Sequence, residues 1–180
     1  MQPGSWRSSS FHWSLHEVKG SRNPVLSIEE LARLFAQHMP HGRDIGMRLE
    51  DLAADGKTRM SLPAQDFLSG DPAASFFFPG VMFSLADSAC GLAVFRALGR
   101  FVPIATLDMR IDHLAPATMD ADLVAVAECY RLTKSIAFAR CELLSAPQRR
   151  VAAIAVGTFM LSSSSAKAPD ITRFAGGQGS

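Results

Sequence analysis

The sequence reads as an α+β protein: a curved antiparallel sheet wrapped around one long central helix, with an extra helix on its N-terminal side. Three observations lead there. Residues 80–98 form a helix-favouring stretch of alanines, leucines and Met82 that is apolar on every side, as in a helix with no wet face. After Gly99 the pattern changes to period two and recurs in four segments. The resulting order is helix, two strands, buried helix and four strands, joined by turn signals rather than by crossover helices.

Each element follows from local chemistry. Residues 1–24 contain Ser8-Ser9-Ser10 and no sustained period, and read as a loose N-terminal extension. Ser27 and Glu30 have capping-box spacing, and Ile28, Leu31, Leu34 and Phe35 share one face of a helix ending near Met39-Pro40. Strands are expected at 45–53 and 58–63, joined at the Asp55-Gly56 hairpin signal. A loop from Gln65 to Pro79 leads into the central helix. Beyond it, Leu107, Met109 and Ile111 alternate with Thr106, Asp108, Arg110 and Asp112, which predicts a half-buried strand. Strands at 123–131, 136–145 and 151–161 follow, and residues 162–180, rich in Ser, Ala and Gly, form a tail. The chain thus divides into an extension at 1–24, one domain at 25–161 and a flexible tail at 162–180.

The last strands are apolar on both faces, whereas antiparallel sheets usually wet one. One helix covers only one face. The other is expected to pack on a second subunit, or else beneath the first helix and the N-terminal extension.

Composition narrows the function. A net charge of +1 and a pI near 7.8, with no basic run, give no electrostatic case for nucleic acid. Cys90, Cys129 and Cys141 lie in apolar contexts without CxxC spacing and read as reduced core thiols of a cytoplasmic protein. The five histidines have no metal-ligand spacing; His38 and His41 flank Pro40 and read as a loop pair. No metal and no cofactor is expected. Residues 1–20 are too polar for a signal peptide, and residues 81–98 contain Ser84, Asp87, Ser88 and Arg96, which argues against a membrane span.

Asp87 is the residue that composition does not explain. An unpaired carboxylate inside an apolar helix costs several kcal/mol or shifts its pKa upward, and a cleft carboxylate suits a general base or nucleophile. The bland alternative is a buried Asp paired with arginine or capping amides. Arg96, nine residues on, is too far along the helix to share its face.

Several segments together resemble one family. Gly70-Asp71-Pro72, the stretch from Gly80 through Leu85-Ala86-Asp87 to Gly91, Ile104 to Pro116, Glu128 to Ser135 and Ala155 to Phe159 are similar to the PaaI-type hotdog thioesterases. The resemblance runs from about Ile45 to Leu161 and implies the hotdog fold. It further implies hydrolysis of an acyl-coenzyme A thioester in a site shared between two subunits of a homodimer or homotetramer. Coenzyme A enters as part of the substrate. By position in the Leu-Ala-Asp motif, Asp87 is the base or nucleophile.

The family's His-Gly-Gly before the helix supplies a backbone N–H to the developing oxyanion. This chain has Phe78-Pro79-Gly80, and proline has no N–H. Either Gly80 takes over as donor, or the protein binds acyl-CoA and hydrolyses it poorly. Asp71 stands where the family commonly has Asn; it is either an Asx-turn residue before Pro72 or, with Asp87, half of an acid–base pair. Phe78, Pro79, Ser88 and Thr106 are implied to line the substrate site, and Arg131, Lys134 and Ser135 to approach coenzyme A, although without the resemblance an ordinary solvated hairpin is the preferred reading of Arg131 and Lys134. Ser84 and Ser88 have no nearby histidine in the sequence and no Gly-x-Ser-x-Gly elbow, so a serine hydrolase is not expected. A non-catalytic acyl-CoA or lipid-binding hotdog protein is the alternative, followed by an enoyl-CoA hydratase on the same fold.

Overall fold

The computed structural model describes residues 39–52, 55–99, 102–145 and 150–162. The helix expected from Ile28 to near Met39-Pro40, except for its end, the extension at 1–24 and nearly all of the tail lie outside these residues. Two helices are described, α1 at Pro40–Asp44 and α2 at Pro79–Leu98, with a 3₁₀ turn at Asp66–Leu68. Six strands follow in chain order: β1 Arg48–Leu52, β2 Thr58–Leu62, β3 Ile104–His113, β4 Leu123–Leu132, β5 Ile136–Ser145 and β6 Arg150–Leu161. They form one antiparallel sheet in the order β1-β2-β4-β5-β6-β3. The predicted architecture is the observed one.

The sheet packs on α2 through small side chains. Ala125, Ala127, Ala137, Ala139 and Ala155 face the helix with almost no exposure, so the backbones approach closely. Larger residues (Leu123, Leu143, Phe159) fill the space around Met82, Leu85, Ala89 and Val94 of the helix. A fully buried leucine such as Leu85 contributes about 2 kcal/mol from burial alone. Gly99, in the left-handed region at φ 61°, ends α2, and its N–H caps the Phe95 and Arg96 carbonyls. By length and composition α2 is apolar enough to cross a membrane, but here it is the core helix of a sheet.

Two local differences from the sequence reading have physical causes. Residues 40–44, expected beyond the end of a helix, form α1, with Pro40 at a first-turn position where its missing N–H costs nothing. The strand expected from residue 45 therefore begins at Arg48. In β3 the simple alternation fails, because the register with β6 shifts between Thr106 and Asp108. Leu107 is extruded and 54% exposed, while Thr106 before it and Met109 and Ile111 after it turn towards the helix side.

The outer surface of β6 carries Ile154, Val156 and Met160, each more than a third exposed. The apolar outer face expected from the sequence is thus present.

The cysteines are free and packed among core residues. The adjacent Cys141 thiol and burial push the Cys90 thiol far above its ordinary range, and burial raises Cys129 despite hydrogen bonds from neighbouring backbone groups. Both remain protonated and unreactive at neutral pH.

Thr58 is fully buried at the start of β2, and its hydroxyl has no hydrogen-bond partner among the described residues. Thr58→Val keeps the shape and removes the unsatisfied group. It is expected to stabilise the fold by about 1 kcal/mol, read as a higher Tm; a lower Tm would mean the hydroxyl is bonded in solution.

Candidate active site

Asp87 lies about midway along α2 and is half-buried rather than enclosed. It opens on a cavity of about 160 Å³ together with Ser88 of the next position and Thr106 of β3. The Thr106 hydroxyl donates to Asp87 Oδ1 at 2.8 Å, a contact that the β3 bulge makes possible by aiming Thr106 at the helix. Asp87 Oδ2 has no partner among the described residues and faces no cation in an ion pair there. The paired-Asp alternative is therefore absent. Arg96 instead donates from Nη1 to the Lys57 carbonyl at 2.6 Å, tying the end of α2 to the turn just before β2.

The rest of the cavity is apolar. Leu92 and Phe95 of α2, Met60 of β2, Ile104 of β3 and Phe159 of β6 form its walls, closed by Met39, Gly42 and Met47 around α1. A carboxylate with one oxygen held by a hydroxyl and the other free, beside an apolar cleft, can accept a proton from a water placed against a bound carbonyl.

The entry to α2 is built by a tightly tied loop. Phe78 N–H donates to the Leu68 carbonyl and Phe77 N–H to that of Ala117, each at 2.9 Å. Asp71 holds the turn between them: its Oδ1 accepts from Ser75 N–H, Phe76 N–H and the Ser69 hydroxyl, and its Oδ2 from Ala73 N–H. Desolvation pushes the Asp71 pKa up, but the hydrogen bonds from Phe76, Ser75 and Ser69 outweigh it and hold the carboxyl below its ordinary 3.8. Asp71 does not line the cavity. Its carboxylate is engaged as an Asx-type knot, the bland reading of this residue.

Phe78 is the N-cap of α2 and Pro79 its first helical residue. The Val81 and Met82 N–H groups both return to the Phe78 carbonyl, at 3.0 and 3.3 Å. Gly80 N–H donates to nothing among the described residues, which leaves it as the free first-turn amide at the positive end of the helix. The Phe78 ring lies over Gly80 so closely that a Cβ there would come 2.8 Å from a ring carbon, so any larger residue requires this exposed ring to move aside.

Of the residues singled out in the sequence, the fold brings Asp87, Ser88 and Thr106 to one cavity. Phe78, Pro79 and Gly80 sit together one helix segment away. Arg131, Lys134 and Ser135 lie exposed in and beside the β4–β5 turn. That turn is at the same end of the sheet as Thr106: Ser135 O accepts from Leu161 N–H, and Leu161 pairs with Ile104. Two strand spacings, about 10 Å, separate β5 from β3. Ser84 back-bonds to the Gly80 carbonyl at 3.2 Å and meets His41 Nε2 at 3.1 Å. That histidine contact and the methionine wall of the cavity had no sequence signal except Pro40 as a helix start.

These features have close counterparts. A family model described as the thioesterase superfamily matches residues 75–152. The medium/long-chain acyl-CoA thioesterase YigI of Escherichia coli is 30% identical over 154 residues, covering 76% of this chain and 97% of that protein. The chain belongs to the thioesterase superfamily and has the hotdog fold of that family. Among solved structures, a protein from Pseudomonas aeruginosa matches with a TM-score of 0.65 at 31% identity, covering 74% of this chain and 98% of its own. A mutant of the phenylacetic acid degradation protein PaaI from Thermus thermophilus matches with a TM-score of 0.58 at 25% identity, covering 67% and 97%.

Because the folded pKa of Asp71 is lowered, its stabilising effect is complete above the ordinary carboxylate value and disappears as pH falls through the folded value. Asp71→Asn is therefore expected to lower the Tm above about pH 5, with the gap to the native protein closing toward pH 3. A gap independent of pH would show that the charge of Asp71 is not what ties the loop.

Proposed function

We propose that this thioesterase hydrolyses medium- or long-chain acyl-CoA, with Asp87 as general base. The observation that carries the reading is the Asp87 carboxylate at the mouth of an apolar cavity, one oxygen held by Thr106 and the other free. A similar activity is carried by the relative YigI, described as a medium/long-chain acyl-CoA thioesterase. In the reaction, Asp87 takes a proton from water as its oxygen bonds to the thioester carbonyl carbon. The C–S bond then breaks, and the proton passes to the departing coenzyme A sulfur. The products are a fatty acid and coenzyme A.

The oxyanion donor is Gly80 N–H, since Pro79 has none. Gly80 and Asp87 of one helix are separated by seven residues, about 10 Å of rise. A single carbonyl must lie about 3 Å from both base and donor. One chain's pair cannot serve one carbonyl, which supports a homodimer in which the helix entry of the second copy supplies the amide. The free edge of β3, ten residues long, and the exposed apolar side chains of β6 are the surfaces such a copy would cover. Arg131, Lys134 and Ser135 at the β4–β5 turn suit the phosphates of coenzyme A. The free core thiols support a reducing, cytoplasmic setting.

Turnover across a panel of saturated acyl-CoAs tests the reading. Asp87→Ala is expected to lose on the order of 100-fold or more in kcat, and Thr106→Val about tenfold, with thermal stability retained. Pro79→Gly, which adds an amide at the helix entry, is expected to keep or raise the rate. Saturable binding without Asp87-dependent hydrolysis would instead identify a non-catalytic acyl-CoA binder.

A further inference from the structure

The cavity beside Asp87 extends along α2 to Phe95, eight residues and about 12 Å of rise away. Its polar groups, Asp87, Ser88 and Thr106, gather at the Asp87 end of the helix stretch, whereas Leu92 and Phe95 leave the other end apolar. The volume of about 160 Å³ is close to that of an engineered apolar cavity of about 150 Å³ that takes up benzene, so it accommodates about six carbons.

One wall comes from outside the sheet and α2. Met39 and Gly42 of the α1 segment and Met47 just after it line the cavity, and α1 is held to α2 by the His41–Ser84 hydrogen bond. Gly42 is buried, yet a Cβ placed there would meet only Met47 Sδ at 3.5 Å, Met47 Cβ at 3.8 Å and Met39 Cβ at 3.9 Å. These are ordinary contacts, so nothing in the packing demands glycine at this helical position. What the missing side chain does is leave room between two flexible methionines that face the cavity.

We infer that α1 measures the acyl chain: the Met39–Gly42–Met47 wall limits how many carbons pass beyond the thioester, and Gly42 sets that limit. The inference rests on the thioesterase reading above and adds the element that selects chain length. Met39, 44% exposed, is the part of the wall that a longer chain would displace.

Gly42→Leu tests this on saturated acyl-CoAs from butyryl to palmitoyl, with kcat/KM and Kd measured at each length. The new side chain carries four carbons into a space for about six, so the optimum is expected to shorten by about four carbons. Chains at the native optimum should lose on the order of 100-fold in kcat/KM, about fourfold per excluded methylene, while butyryl-CoA stays within about threefold. Met39→Ala, at a partly exposed position, is expected to lengthen the optimum, and it decides the matter if Gly42→Leu does not fold. An unchanged length profile in a folded variant, or an equal loss at every length, overturns the inference. A native protein that hydrolyses no acyl-CoA overturns the thioesterase reading instead, and the Kd profile still reports on α1.

Discussion

A helix with no polar face can be stable in water only if something surrounds it, and α2 is such a helix over nearly all of its 20 residues. The sheet meets that demand by curling, with alanines on β4, β5 and β6 letting it come close. Six strands wrap only part of the circumference. Along the remaining seam, between Met60 of β2 and Ile104 and Thr106 of β3, the helix faces a cavity instead of a strand. Asp87 lies on that seam. The same curvature that buries Leu85 and Val94 leaves this carboxylate partly open, and it needs no counter-ion because it was never fully desolvated.

Two irregularities shape the chemistry along this seam. The bulge in β3 reverses which residues point inward, and by doing so delivers the Thr106 hydroxyl to Asp87. At the other end of the motif, Pro79 removes an amide from the first turn of α2 while the ties through Leu68, Ala117 and Asp71 hold the helix entry in place. The Gly80 N–H is free because a first-turn amide has no acceptor within its own helix. The surroundings of Asp87 and the entry to α2 thus both depend on local departures from regular strand and helix, each supported by its own hydrogen bonds.

Much of this was legible in the chain itself. The all-round apolarity of residues 80–98 and the period-two segments after Gly99 specify the architecture, and the lone Asp singled out in that helix lines its cavity. The Asp55-Gly56 turn signal likewise corresponds to a described turn, with Gly56 at φ 86°. Register was not legible. Leu107 looks like a core residue by alternation, and only the pairing with β6 reveals that it is extruded. The state of Asp71 was also open, because a carboxylate before Pro72 serves a turn or a cleft equally well until its partners are known. The five residues of α1 are too few to carry a period, and the cavity wall it forms has no signature in local sequence.

In the proposed dimer a thioester carbonyl meets Asp87 of one copy and the Gly80 amide of another. A crystal structure with a non-hydrolysable acyl-CoA thioether addresses it most directly. The expected result is the sulfur-bearing carbon analogue beside an Asp87-bound water, the alkyl chain running toward Phe95, and Gly80 N–H of the second copy pointing at the carbonyl position. A ligand seated away from Asp87, or one contacting both groups from a single chain, would contradict it.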